Sequence, residues 1–185
     1  LLDQLARALD YAHQSKIIHR DLKASNVIFD ANANAYLNDF GIAKVFQSGQ
    51  RGTVIGTAGY PPPEQYRGIN EPTGDIYALG ATMHHLLTKR DPRLEPPFTF
   101  HEHPIRSLNP SVSPELDAAV MKALEYDADK RFATAEEFRQ ALEAAAEFNV
   151  RQRRDPDCRR GVRSFLGTKT TPDWLDSAIT RELKP

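Results

Sequence analysis

Eight consecutive residues near the start of this 185-residue sequence combine side chains that could act together on a phosphoryl group. In the stretch from His19 to Asn26, Asp21 is followed two residues later by Lys23 and five residues later by Asn26. A carboxylate can accept a hydroxyl proton, an ammonium can offset phosphate charge, and an amide oxygen can ligate Mg²⁺. A second carboxylate suited to Mg²⁺, Asp39, follows Asn26 by 13 residues. These residue types indicate phosphoryl transfer.

The segments around these residues predict the elements that would hold them. The first predicted elements are a helix over 1–15, a strand over 16–18, and a hairpin made of strands 27–29 and 35–38. Because the second hairpin strand leads directly into Asp39, the hairpin would bring that carboxylate beside Asn26. Two positions that are distant in sequence could then share one metal ion.

The rest of the chain predicts a mainly helical domain. Residues 42–61 carry four glycines and little periodicity, which indicates a long loop, and a short helix is predicted to begin near Pro62. Further predicted segments are a core helix over 73–88, a mostly irregular stretch over 89–110, and helices that begin near Ser113 and Thr134.

Composition excludes several classes of function. The hydrophobic content of 40% suits one domain with a sizeable core, and a net charge of −1 gives no overall attraction to nucleic acid. A single cysteine, Cys158, excludes an internal disulfide. No apolar run is long enough to span a bilayer, so we expect a cytoplasmic chain, with any membrane anchor elsewhere in a longer protein. His84 and His85 match no motif and are interpreted as packing or surface residues.

Five stretches in sequence order resemble the catalytic domain of the bacterial, eukaryotic-like Ser/Thr protein kinases. They are His19–Asn26, Asp39–Gly41, Gly56–Glu64, Asp75–Gly80 and Asp127–Phe132. The resemblance covers residues 1–148 and implies the C-terminal lobe of that domain. The expected fold is therefore mainly α with a small β-hairpin, as one lobe of an α+β two-lobed fold. Residues 149–185, which are rich in arginine, are expected to form a basic, flexible tail.

The resemblance implies catalytic and cofactor roles for individual positions. Asp21 would be the catalytic carboxylate that faces the substrate hydroxyl. Lys23 would contact the γ-phosphate of ATP, and a lysine here resembles the Ser/Thr class rather than the Tyr class. Asn26 and Asp39 would hold Mg²⁺ or Mn²⁺, and Ile28 would pack beneath the adenine. The implied cofactors are ATP and the metal ion, and the implied partner is a protein substrate with a Ser or Thr.

The resemblance also implies structural roles. His19 and Phe40 would be internal packing groups. Asp75 would anchor the backbone of the catalytic loop from the core helix. Glu64 and Arg131 would form a buried ion pair, although each of these residues alone would be unremarkable.

The loop over 42–61 resembles the activation loop of these kinases. Arg20, directly before Asp21, would receive a phosphate carried by this loop. Thr53 is the first candidate for that phosphate and Ser48 the second. Thr57 is a poorer phosphorylation site, because in the family the matching threonine faces the catalytic Asp and Lys.

The sequence contains no glycine-rich loop and no Val-Ala-Ile-Lys-like strand. Those parts grip the nucleotide phosphates in a kinase. We therefore expect a fragment whose partner is the N-terminal kinase lobe, and which is inactive or nearly so in isolation. Two alternatives remain open at this point: a non-catalytic, pseudokinase-like binding module, and a small-molecule phosphotransferase of related fold.

Overall fold

The computed structural model describes residues 2–32, 34–40, 44–45 and 57–154, and it describes side chains within 3–32, 34–40 and 57–147. Within these residues the helices are α1 (Leu2–Gln14), α2 (Pro72–Thr88), α3 (Ile105–Leu108), α4 (Pro114–Ala123) and α5 (Ala135–Arg154). The strands are β1 (Ile17–Ile18), β2 (Val27–Phe29), β3 (Ala35–Leu37) and β4 (Lys44–Val45). They form two antiparallel pairs, β1 with β4 and β2 with β3.

Helix α1 buries one face and exposes the other, as its apolar spacing predicts. Leu5 and Leu9 are fully buried, whereas Tyr11 is 75% exposed. The buried face packs against α5 and β3. The helix ends before Lys16, whose φ of 58° turns the chain sharply into β1. The loop that begins at His19 therefore starts from a fixed point at the end of α1.

The predicted hairpin is present. Strands β2 and β3 pair so that Val27 lies opposite Leu37. A hydrogen bond of 2.8 Å from the Asn38 amide to the Asn26 carbonyl extends this ladder by one pair. The carboxylate of Asp30 accepts two backbone amide hydrogen bonds in the turn, which fixes the tip of the hairpin.

The prediction of a loop over 42–61 is wrong at Lys44 and Val45, and residues 42–43 and 46–56 lie outside the described residues. Lys44 and Val45 form β4, which pairs with β1 so that Ile17 lies opposite Val45. A two-residue strand has too short a pattern to be predicted from its own sequence, because its conformation depends on a distant partner. The short helix predicted near Pro62 is a single 3₁₀ turn, Gln65–Arg67.

Helix α2 is the centre of the core. Of its 17 residues, 12 are buried, which includes residues on all sides of the helix rather than on one stripe. Gly80 allows α4 to approach closely, since a Cβ there would lie 3.0 Å from the Cβ of Ala123. A helix that is covered on every side cannot shift without disturbing the whole domain, so its polar groups are fixed reference points.

Helices α4 and α5 begin at side-chain caps. The hydroxyl of Ser113 accepts an amide hydrogen bond from the first turn of α4. At α5, the Thr134 hydroxyl accepts from the Glu137 amide, and the Glu137 carboxylate accepts from the Ala133 amide. Helix α5 runs to Arg154, so the boundary predicted at 148/149 falls inside this helix. Residues 155–185 lie outside the described residues.

The described chain is mainly α-helical with two small β-sheets, in agreement with the predicted class of secondary structure. Within the described ranges, no helix combines the length and the apolar character needed to cross a bilayer.

Candidate active site

The loop between β1 and β2 is anchored by one carboxylate of the core helix. Asp75 is 1% exposed, and its two oxygens accept the backbone amides of His19 and Arg20, each at 2.8 Å. The Nε2 atom of His13, from α1, lies 2.9 Å from the same carboxylate. Because Asp75 sits on a helix that is buried on all sides, the start of this loop is held in one position.

Two amide side chains hold Arg20 at its backbone and at its side chain. The Nε2 atom of Gln65 donates to the Arg20 carbonyl at 3.0 Å, and Nε of Arg20 donates to Oδ1 of Asn70 at 3.2 Å. Arg20 is 3% exposed and has a φ of 72°, which is uncommon for a residue with a side chain. These contacts fix the peptide that leads into Asp21.

Asp21, Lys23 and Thr57 form a closed ring of hydrogen bonds. The Lys23 ammonium donates to Asp21 Oδ2 at 2.8 Å and to the Thr57 hydroxyl at 2.7 Å. Asp21 Oδ1 accepts from the Thr57 amide at 2.7 Å and from the Thr57 hydroxyl at 2.8 Å. The carboxylate and the ammonium therefore share one small, partly exposed space with a hydroxyl between them.

The ring keeps Asp21 ionised. Burial acts to raise the pKa of Asp21, but the hydrogen bonds from Lys23 and Thr57, with the positive charge of Lys23, outweigh it and lower the pKa below its ordinary value. At neutral pH the group is a carboxylate that can only accept hydrogen bonds. A hydroxyl that entered this space would be oriented with its proton towards Asp21.

Asn26 directly precedes β2 and Asp39 follows β3, and both carry side-chain oxygens that could bind a metal ion. The Asn26 amide nitrogen donates to the Asp21 carbonyl at 2.8 Å, which leaves the amide oxygen as the group with affinity for a metal. Asp39 follows the Asn26–Asn38 pair that extends the hairpin, and its carboxylate is exposed. An amide oxygen and a carboxylate suit Mg²⁺, which needs few protein ligands when phosphates supply the others. The described residues contain no cluster of three or more His, Cys, Asp or Glu side chains that could hold a metal alone.

Of the two predicted internal packing residues, only His19 is internal. His19 is fully buried, and its Nε2 lies 3.0 Å from the Asn38 carbonyl. The prediction is wrong for Phe40, which is 38% exposed, because its ring covers the His19 ring, at 4.5 Å, from the outside. On the outer face, Ile28 is 42% exposed opposite Tyr36. The hairpin thus joins the loop between β1 and β2 to Asp39 and Phe40, and it presents an apolar side chain outwards.

Glu64 and Arg131 form a bidentate pair. The two guanidinium nitrogens lie 2.5 and 2.9 Å from the two carboxylate oxygens, and the Arg131 side chain has no solvent exposure. Arg131 also donates to three backbone carbonyls, those of Thr73, Glu125 and Tyr126. All five N–H donors of the guanidinium lie in one polar cluster, which is the arrangement that stabilises a buried cation.

The segment between Thr57 and Glu64 is attached to the far end of α2. The Tyr60 hydroxyl lies 2.7 Å from Nδ1 of His85. Gly59 has a φ of 88° and passes so close to Pro92 that a Cβ would lie 2.2 Å from the Pro92 carbonyl oxygen. His85, interpreted from the sequence as a packing or surface residue, is therefore a hydrogen-bond partner of this segment.

Sequence reasoning missed four polar residues that hold the site: His13, Gln65, Asn70 and His85. Isolated His, Gln and Asn residues carry no spacing signal, and only the tertiary structure brings them to their partners. Of the predicted activation-loop residues, Thr57 lies in the site, whereas Ser48 and Thr53 lie outside the described residues.

The chain is similar in sequence to known protein kinases. Residues 1–144 match the protein kinase domain family. The chain is 36% identical over 156 residues to the serine/threonine-protein kinase PknB of Mycolicibacterium smegmatis, covering 77% of this chain and 25% of that protein. It is 38% identical over 155 residues to PknB of Mycobacterium tuberculosis, covering 74% and 24%. It is 33% identical over 163 residues to the serine/threonine-protein kinase PrkC of Bacillus subtilis, covering 78% and 24%. The chain spans about a quarter of the length of these relatives.

Proposed function

This chain belongs to the protein kinase domain family, and from that premise we propose that it is the C-terminal lobe of a Ser/Thr protein kinase. In the whole protein it would help to transfer the γ-phosphate of ATP to a Ser or Thr hydroxyl of a protein substrate. The Ser/Thr class is supported by the names of its relatives and by Lys23.

The observation that carries this proposal is the hydrogen-bonded ring of Asp21, Lys23 and Thr57. The substrate hydroxyl would enter beside Asp21, whose carboxylate orients it and accepts its proton. Because the lowered pKa makes Asp21 a weak base, we expect the proton to move late, when the oxygen already bonds to phosphorus. Lys23 would offset the charge on the transferring phosphoryl group and return to Asp21 and Thr57 afterwards.

Asn26 and Asp39 would hold the divalent metal ion. A divalent ion held there would supply positive charge that neutralises part of the negative charge of the ATP phosphates. The Asn26 amide is oriented by its bond to the Asp21 carbonyl, so metal site and catalytic carboxylate are built on one stretch of backbone. Ile28 offers the outward apolar surface for the adenine.

The second partner in this proposal is an N-terminal kinase lobe. The phosphate-gripping glycine-rich loop and lysine have no counterpart in this sequence. Since positioning and electrostatics supply nearly all catalysis of phosphoryl transfer, we expect the isolated chain to transfer phosphate poorly or not at all.

The test uses the full-length protein with radiolabelled ATP and a mixture of protein substrates. We expect label on Ser and Thr, and loss of transfer in the Asp21→Asn and Asp39→Ala variants with the fold retained by circular dichroism. A matched control is Asp10→Asn on the exposed side of α1, which should keep full activity. Transfer that survives Asp21→Asn would overturn the proposal.

A further inference from the structure

Gln65 is a buried polar residue to which the reaction described above assigns no role. It is the first residue of the 3₁₀ turn Gln65–Arg67 and is 5% exposed. Its Nε2 donates to the Arg20 carbonyl at 3.0 Å. The orientation of the amide follows from chemistry, because a carbonyl oxygen can accept a hydrogen bond but cannot donate one.

The carbonyl that Gln65 contacts belongs to the peptide bond between Arg20 and Asp21. Asp75 binds the amide of Arg20 on the other side of the same residue, at 2.8 Å. Arg20 has a φ of 72°, a conformation that an ordinary residue adopts only when its surroundings hold it. The direction of this peptide sets the direction in which the Asp21 side chain leaves the backbone.

The backbone of Gln65 is itself well anchored. Glu64, its neighbour, is bound to Arg131 through two hydrogen bonds. The Gln65 amide donates to the Pro62 carbonyl at 3.1 Å, and the Gln65 carbonyl accepts from Gly68 at 3.0 Å. Because the backbone of Gln65 is fixed, its side chain can restrain the Arg20–Asp21 peptide rather than move with it.

We propose that Gln65 is a positioning residue for phosphoryl transfer. It holds the Arg20–Asp21 peptide so that the Asp21 carboxylate stays beside Lys23 and Thr57. The inference rests on the proposed kinase function, since it assigns a role within that reaction. Its hydrogen bond also connects the turn Gln65–Arg67 to the peptide that leads into Asp21.

The proposed role depends on the side-chain N–H donor of Gln65. A variant whose ability to donate this hydrogen bond changes with pH is therefore informative. In Gln65→Glu the side chain keeps its length and shape, but an ionised carboxylate cannot donate to the Arg20 carbonyl. A protonated carboxyl can donate. Because the group would be buried, its pKa would be raised, and protonation would begin at mildly acidic pH. Gln65→Met removes the donor without adding a charge or a titratable group.

The experiment measures kcat, and KM for ATP, of the full-length protein between pH 5 and pH 8. The variants are Gln65→Glu, Gln65→Met and Asp21→Asn. The control is Ser113→Ala, which removes a helix cap far from the site and should lower the thermal midpoint without changing kcat. At pH 8 we expect both Gln65 variants to lose about 10-fold to 100-fold in kcat, with KM for ATP within about twofold of the wild type.

The ratio of Gln65→Glu to wild-type kcat should rise towards one as the pH falls, whereas the ratio for Gln65→Met should stay constant. If Gln65→Glu fails to fold, the loss of kcat in Gln65→Met decides. Wild-type kcat in Gln65→Met would overturn this inference while leaving the proposed function intact, provided that Asp21→Asn is inactive. A wild type that transfers no phosphate would overturn the proposed function and this inference with it.

Discussion

Arg131 binds Glu64 through two parallel hydrogen bonds across 67 positions of sequence. The pair joins the connection between α4 and α5 to the segment between Thr57 and α2. Its guanidinium also stacks against the ring of Tyr77, 4.8 Å from the ring centroid. The conformation of the residues just before α2 is therefore stabilised by a contact with the connection between α4 and α5.

Removing the cation of this pair should destabilise the domain strongly. Arg131→Met leaves the Glu64 carboxylate partly buried and unpaired, for which we expect a loss of about 3–5 kcal/mol in the free energy of unfolding. Urea denaturation of the full chain measures it. The matched control is Lys130→Met next to it, whose ion pair with Asp127 is exposed and should leave the urea midpoint unchanged. Equal midpoints for the two variants would contradict a buried, stabilising pair.

Asp75→Asn should loosen the loop between β1 and β2. The substitution keeps the shape but replaces one acceptor oxygen by a donor, so the amide of His19 or of Arg20 loses its partner. We expect a loss of about 1–3 kcal/mol in the free energy of unfolding. Hydrogen exchange should show reduced protection at those two amides. Protection in α4 should be unchanged when the variant and the wild type are compared under conditions that give them equal free energies of unfolding. Full protection of both amides would show that Asp75 does not anchor the loop.

Thr57→Val should affect the reaction and its pH dependence together. The valine has a similar shape but loses the hydroxyl that donates to Asp21 and accepts from Lys23. Since that hydrogen bond favours the ionised carboxyl, its loss raises the pKa of Asp21, and less carboxylate remains at acidic pH. In the full-length protein we expect kcat to fall about 100-fold, with the acidic limb of the pH–kcat profile moved to higher pH.

Thr57→Ser retains the hydroxyl and should keep both the rate and the acidic limb close to those of the wild type. An acidic limb that does not move in Thr57→Val would show that Thr57 does not influence the ionisation of Asp21.

The segment predicted from the sequence as an activation loop, which contains Ser48 and Thr53, should act as a phosphorylation switch. A phosphate adds a charge of about −1.5 to −2 near neutral pH, and a guanidinium can bind it through paired hydrogen bonds. Arg20 is the residue that we expect to bind it. After incubation of the full-length protein with ATP, mass spectrometry should find phosphate on this loop, and Thr53→Ala should slow substrate phosphorylation several-fold.

Asn70→Ala offers an independent test of the same switch, because Asn70 orients the Arg20 side chain through Nε. We expect this variant to lose much of the activation by phosphate, measured as the ratio of the rate after phosphorylation to the rate before it. A fully active protein whose loop carries no phosphate would show that the switch is absent.

The sequence predicted the elements that have strong local patterns. The hairpin and the core helix α2 were both predicted, and the hairpin brings Asn38, the residue before Asp39, into a backbone hydrogen bond with Asn26. Strand β4 and the partners of Arg20 were not predictable, because each depends on a contact between distant segments. The boundary predicted at 148/149 falls inside α5, since the apolar periodicity fades there while the backbone remains helical to Arg154.

The histidines show the same limit at the level of single residues. His13 and His85 bind Asp75 and Tyr60 respectively, yet nothing in their sequence neighbourhood distinguishes them from His101, which is exposed. The types of residue in a site can be predicted from a motif, whereas the residues that hold the motif in place are chosen by the packing of whole helices.

The close passage of Gly59 over Pro92 sets a limit on how this protein can vary. A side chain of any chemistry at position 59 would meet backbone atoms, which cannot move aside as a side-chain tip can, and it would also meet an unfavourable φ. In a library of all single substitutions, variants with a small, a charged or an apolar residue at position 59 should therefore be depleted to the same degree. At Tyr60, by contrast, tolerance should depend on the chemistry of the side chain, because its hydroxyl contacts His85.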